Sequence, residues 1–111
     1  MITEDYVSFE TAKLLKERGF NERTNMPHVD DYQRLVCYIP TLQMSMKWLR
    51  ETYNIHVVPK YDFYAGYYTG RIYDGRRETA SERDDYIAVV GNSTYEEACE
   101  ETIKYCLENL I

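Results

Sequence analysis

The spacing of apolar residues changes twice along this chain, and those changes constrain its fold more than any other feature. From Leu42 onward, Leu42, Met46, Leu49 and Tyr53 recur at offsets of four, three and four, the seam of an amphipathic helix. Trp48 and Met44 widen that seam, Pro40-Thr41 precedes it as a breaker and a cap, and Asn54 can terminate it. Residues 55 to 90 then switch to period two, which a half-buried sheet requires. Past Gly91-Asn92-Ser93, Thr94-Tyr95-Glu96-Glu97 has the form of a capping box. Helical spacing then returns through Cys99, Ile103, Cys106 or Leu107, and Leu110.

Within the period-two region, Ile55 to Phe63 predicts a strand, with Pro59 marking an edge or a bulge. Ala65-Gly66 is expected to turn the chain, and Tyr67 to Asp74 to return it. Residues 75 to 85 hold no apolar side chain larger than alanine and are expected to form a mobile loop. Tyr86 to Val90 is a nearly continuous apolar run, expected as a central strand. Nearer the start, Ser8 can cap a first helix that Gly19 ends, with Val7 and Ala12 as a hydrophobic staple. Its buried side is Phe9, Ala12, Leu15 and Phe20. Residues 21 to 33 are expected as loop, and Arg34 to Ile39 as a short strand. The order is α-β-α-β-β-β-α in one domain over residues 1–111. It defines an α+β fold, a small antiparallel sheet of three to four strands with helices packed on one face.

Charge is distributed unevenly. Of the net charge of −6, −4 falls from Thr94 onward, where five glutamates face one lysine. Such a balance disfavours nucleic-acid phosphates unless a local basic surface exists. No apolar run is long enough to cross a bilayer as a helix, and the acidic opening Met1-Ile2-Thr3-Glu4-Asp5 is unlike a secretion signal. Three cysteines, Cys37, Cys99 and Cys106, match no zinc spacing. Cys99 and Cys106, seven apart on one helix, would lie roughly 10 Å apart along its axis, too far to bridge. Buried reduced thiols in a cytoplasmic protein are the expectation.

Catalytic chemistry is poorly supplied. His28 and His56 sit in no nucleophile or metal pattern, and the acid pairs lack calcium-loop spacing, so no catalytic residue, cofactor or metal ligand is expected. The glutamates of the last helix are more informative. The helix dipole favours Glu96 and Glu97 by about 0.3–1 kcal/mol. Glu100 and Glu101 lie one turn on and repel them by roughly 0.2–0.5 kcal/mol per pair, against one compensating Glu100–Lys104 pair. Local stability thus accounts for half the cluster, and a basic protein partner would account for the rest. Tyrosine is the second excess: twelve in all, with Tyr61, Tyr64, Tyr67, Tyr68 and Tyr73 within thirteen residues. Both faces of the hairpin must then carry aromatics, which offer contact area at low entropy cost. The candidate partner-binding residues are therefore Glu96, Glu97, Glu100, Glu101, Tyr61, Tyr64, Tyr67 and Tyr68.

Three blocks carry a resemblance: Tyr6 to Phe20 (YVSFETAKLLKERGF), Pro40 to Glu51 (PTLQMSMKWLRE), and Thr94 to Cys99 with Ile103 to Ile111 (TYEEAC, IKYCLENLI). Together they resemble a group of short uncharacterised proteins of gut anaerobic bacteria and their phages or integrated elements. The resemblance implies a mobile-element setting and names no chemistry. From Thr41 onward, α-β-β-β-α is also similar to the order of the double-stranded RNA-binding domain, whose last helix starts with phosphate-contacting lysines. Here that helix starts Tyr95-Glu96-Glu97, with the sign reversed.

The leading expectation is a non-catalytic interaction protein that contacts a basic protein surface, such as a nuclease groove, as an antagonist of that host protein. A nucleic-acid-binding module using the tyrosine hairpin with Arg71, Arg76, Arg77 and Arg83 is the alternative. A small enzyme built from His56, Asp62 and Tyr64 is a third. A homodimer through the second helix or a sheet edge is a candidate assembly.

Overall fold

A computed structural model describes residues 4–111; Met1 to Thr3, part of the acidic opening, lie outside the described residues. The elements are α1 (Phe9–Glu17), β1 (Pro27–Val29), β2 (Leu35–Tyr38), α2 (Leu42–Tyr53), β3 (Ile55–Asp62), β4 (Tyr67–Asp74), α3 (Ala80–Asp84), β5 (Tyr86–Asn92) and α4 (Tyr95–Asn109). The fold is α+β. An antiparallel sheet β3-β4-β5 has helices on one face, and β1 and β2 form a separate antiparallel pair. With α3 set aside, α2 to α4 follow the order α-β-β-β-α.

The helix boundaries obey local chemistry. Ser8 caps α1 by accepting from the Thr11 N–H, and Gly19, at φ +106°, lets the chain leave it. Thr41 caps α2 by accepting from the Met44 N–H, and Asn54 ends it in the left-handed region at φ +55°. Thr94 caps α4 by accepting from the Glu97 N–H. The core gathers Ala12 and Leu15 of α1, Leu42, Met46 and Leu49 of α2, Ile55, Val57 and Ile72 of the sheet, and Cys99, Ile103, Cys106 and Leu107 of α4.

Alternation along the strands gives the sheet two distinct sides. Gly70 points at α4, so close that a Cβ there would lie 1.7 Å from Thr102 Oγ1 and 2.8 Å from Thr102 Cβ. Ile55, Val57, Ile72 and Ile87 share that side. His56, Val58, Lys60, Arg71, Tyr73, Tyr86 and Ala88 share the other, away from α4, where Val58, Lys60, Tyr86 and Ala88 are exposed. Gly70 therefore sets how near α4 lies to the sheet. No helix among the described residues is long and apolar enough to cross a membrane.

Four expectations need correction. Residues 21 to 33 contain β1, a three-residue strand opening on Pro27 and too short to show alternation. Residues 75 to 85 are not all loop: Thr79 and Glu82 close a reciprocal capping box on α3, so caps rather than burial hold that helix. Strand β5 lies at the sheet edge and β4 at its centre. The apolarity of β5 answers to α4, which packs against it on one side. Finally, Phe9 is 37% exposed and stacks on His28 at 3.8 Å between ring centroids, while Thr11 takes the inward position.

The three thiols are free and buried. Burial pushes the Cys99 thiol up to about 11 and the Cys106 thiol up to about 12, from ordinary values of 9. Raising the pH above about 9 removes thiol protons from the unfolded chain before the folded one, so stability falls as pH rises from about 9 toward 12. Urea midpoints measured across that window should decline, and less steeply for Cys106→Ala; a flat profile contradicts the assignment. Replacing Gly70 by Ala should cost about 1–3 kcal/mol through overpacking against Thr102. Thr102→Ala in that background should return part of the loss, as read by chemical denaturation.

Candidate protein-docking surface

Register across the β3–β4 turn decides where the tyrosines go. The loop Phe63-Tyr64-Ala65-Gly66 places Tyr61 directly opposite Tyr68, on the side of the sheet that α4 covers. The two rings meet edge-on at 4.9 Å. Phe63 packs against Tyr61 at 4.9 Å, and Tyr68 meets Tyr95, the first residue of α4, at 6.2 Å. The four rings form a continuous row from the hairpin tip to the start of α4. Gln43 of α2 fixes its inner end by donating to the Tyr95 hydroxyl at 3.1 Å. Phe63 is 87% exposed and Tyr64, beside it, is fully exposed. The Asp62 carboxylate shapes this tip by accepting from the Tyr64 and Ala65 N–H groups.

Where the aromatic row ends, a carboxylate-lined concavity begins. Asp5, Glu96, Glu97, Glu100 and Glu101 border it with Tyr6, Ser8, Leu42, Asn92 and Thr94. Glu96, Glu97 and Glu101 are exposed, and among the described residues none of them forms a salt bridge. Glu100 behaves differently. Its Oε1 accepts from the Ser8 backbone N–H at 2.9 Å and from the Thr11 hydroxyl at 2.7 Å, so a side chain of α4 closes the N-terminus of α1. Its Oε2 is buried without a hydrogen-bond partner. Lys104, expected to pair with Glu100, instead meets Glu10 of α1 at 3.5 Å.

Of the eight residues singled out from sequence, five thus share one side: Tyr61, Tyr68, Glu96, Glu97 and Glu101. Tyr64 stands at the tip, Tyr67 faces the side of the sheet away from α4, and Glu100 joins two helices. Phe63, Tyr95 and Asp5 belong with the five and were missed. Phe63 sits in the same aromatic cluster by sequence, whereas Tyr95 is disguised as an ordinary first-turn residue.

The remaining candidate sets do not assemble. His56 stands near the base of β3, where its Nε2 lies 2.7 Å from Asn54 Oδ1, while Asp62 closes the same strand at its tip. Six residues of extended chain, at about 3.3 Å each, separate them. Of the four arginines, Arg76 grips Asp74 at 2.9 Å and donates to the Leu110 carbonyl. Those bonds from Arg76 hold the Asp74 carboxyl below its ordinary range despite burial. Arg77 donates to the Glu82 carbonyl, and Arg83 donates to those of Arg77 and Glu78. Among the described residues, no three His, Cys, Asp or Glu side chains converge as a metal ion would require.

No family model, curated protein or solved structure matches the chain. Glu100→Ala strips the acceptor from the N-terminus of α1 and should cost about 1–3 kcal/mol in urea denaturation. Glu100→Gln keeps an acceptor oxygen and should cost less. Equal stability of Glu100→Ala and the parent would show that the contact contributes nothing.

Proposed function

We propose that this chain is a non-catalytic protein-interaction domain that docks on a basic protein. The observation supporting this reading most strongly is the row Phe63–Tyr61–Tyr68–Tyr95, which leads from an exposed hairpin tip to the carboxylates of Glu96 and Glu97, which form no salt bridge among the described residues. The two parts suit different tasks. Exposed rings at a tip can enter an apolar pocket, where truncating such an anchor typically costs 2 kcal/mol or more, about thirtyfold in affinity. Rim carboxylates mainly steer the encounter and make its rate sensitive to salt. A partner that satisfies both has a cationic surface around a pocket, as a nuclease groove does. Resemblance of the three sequence blocks to mobile-element and phage proteins supports an antagonist role against such a host protein. Buried thiols support a reducing, cytoplasmic setting.

Recovery of a partner from lysate of the native host, with the intact domain as bait, tests the reading. The expected partner is basic, elutes with moderate salt, and is lost when Phe63 and Tyr64 become Ala. Changing Glu96, Glu97 and Glu101 to Gln should slow association, with a smaller effect on dissociation. Glu100 is left unchanged because it holds α1. Undiminished capture by both variants overturns the proposal, and so does an acidic partner.

A further inference from the structure

The side of the sheet away from α4 has a different character from the docking side. Strand alternation gathers Lys60 of β3, Tyr67, Thr69 and Arg71 of β4, and Tyr86 and Ala88 of β5 around a shallow depression of about 440 Å³, which Tyr61, Asp62, Phe63 and Tyr64 of the hairpin tip also line. Arg71 lies over the Tyr86 ring at 4.3 Å, its guanidinium plane held by that contact. Neither Arg71 nor Lys60 forms a salt bridge among the described residues. These two cations are free, whereas Arg76, Arg77 and Arg83 are bonded to their own chain. Total charge is therefore a poor guide to this face, since the exposed glutamates of α4 border the other concavity.

We propose that this face binds single-stranded nucleic acid, with unpaired bases stacking on Tyr67 and Tyr86 and phosphates meeting Arg71 and Lys60. Three features favour that occupant. The small side chains of Thr69 and Ala88 leave open floor between the tyrosines, room for a planar group. Bases offer a π-face whatever their sequence, so stacking on an aromatic side chain accepts any of them. An extended peptide, by contrast, gains affinity from a sheet edge, because a sheet face offers it no backbone donors or acceptors. The carboxylates nearby are Asp62, whose Oδ1 is committed to the tip turn, and Asp84 and Asp85, which lead into Tyr86. They keep the affinity modest and confine contact to two phosphates. The depression shares Phe63 and Tyr64 with the protein-docking surface, but the inference rests on Arg71 and Lys60, which that surface does not use, so Arg71→Ala and Lys60→Ala test it separately.

Fluorescence anisotropy of a short labelled oligo-uridine or oligo-thymidine, titrated with the whole chain at low ionic strength, provides the test. Saturable binding is expected, weakening with salt at a log–log slope of about −1.4, the value for two phosphate contacts on a single strand. Arg71→Ala and Tyr86→Ala should each weaken it about tenfold. Because Tyr86→Ala could disturb β5, Lys60→Ala, at an exposed position, serves as a second variant and should also lower affinity and flatten the salt slope. Lys47→Ala, which removes a cation from α2, should change neither. Three results would each overturn the proposal: no saturable binding, binding indifferent to both Arg71→Ala and Lys60→Ala, or competition by oligoglutamate as effective as by unlabelled strand.

Discussion

The close seating of α4 on the sheet is the contact on which the rest of the structure depends. Ala98, Cys99, Thr102, Ile103, Cys106 and Leu107 are all buried on it, and it packs against all three strands as well as α1 and α2. The approach is permitted by a missing side chain, at Gly70, rather than by any special attraction. Thr102, lying opposite, satisfies its hydroxyl within the helix by donating to the Ala98 carbonyl at 2.6 Å. An apolar interface thus accommodates a polar atom without leaving it unpaired. The far end of the helix is anchored by Arg18, the C-cap of α1, whose Nε donates to the carbonyls of Leu107 and Ile111. Those carbonyls lie at the negative end of the helix, where a cation is favoured.

What could be read from sequence follows from where each signal resides. The cap at Thr41, the left-handed stop at Asn54, the 3.6-residue seam of α2 and the alternation of β3 and β4 are local, and all are found in place. Strand β1 and helix α3 lack apolar patterning because other forces hold them. A bulged pairing to β2 supports one, and a capping box with arginine–carbonyl bonds supports the other. The role of Glu100 could not be read at all, since its partners Ser8 and Thr11 are 92 and 89 residues away. Likewise, counting parity places tyrosines on faces only within a strand. The four-residue turn sets Tyr61 beside Tyr68 and sends Tyr67 to the opposite face.

Charge teaches a related lesson. The composition records thirteen cations and nineteen anions but not which of them are available. Arginines that look like a basic patch in sequence brace the segment between β4 and β5. A glutamate that looks like part of a negative ridge stabilises a helix start. The two sides of the sheet differ in what they expose, with carboxylates of α4 and edge-on rings on one, and Lys60 with the Arg71–Tyr86 pair on the other. Both are carried by a molecule only 23 Å across its shortest axis.

The β3–β4 hairpin has a mechanical consequence. At its base, the Gly75 N–H donates to the Asn54 carbonyl at 2.8 Å, and the Asn54 side chain fills the space where a Gly75 Cβ would stand. Helix end and strand end are thereby clasped together. Ile55 and Val57 are buried beside that clasp, while farther out the ladder runs on to Tyr61 and Tyr68, where Tyr68 meets Tyr95 of α4. Strand β5 pairs with β4 as far out as Tyr68, opposite Asn92, so the part that projects is the short loop from Phe63 to Gly66, and the interlocked rings stiffen its root. Whatever meets the tip therefore meets an arm already held straight, and little motion is left to freeze on contact.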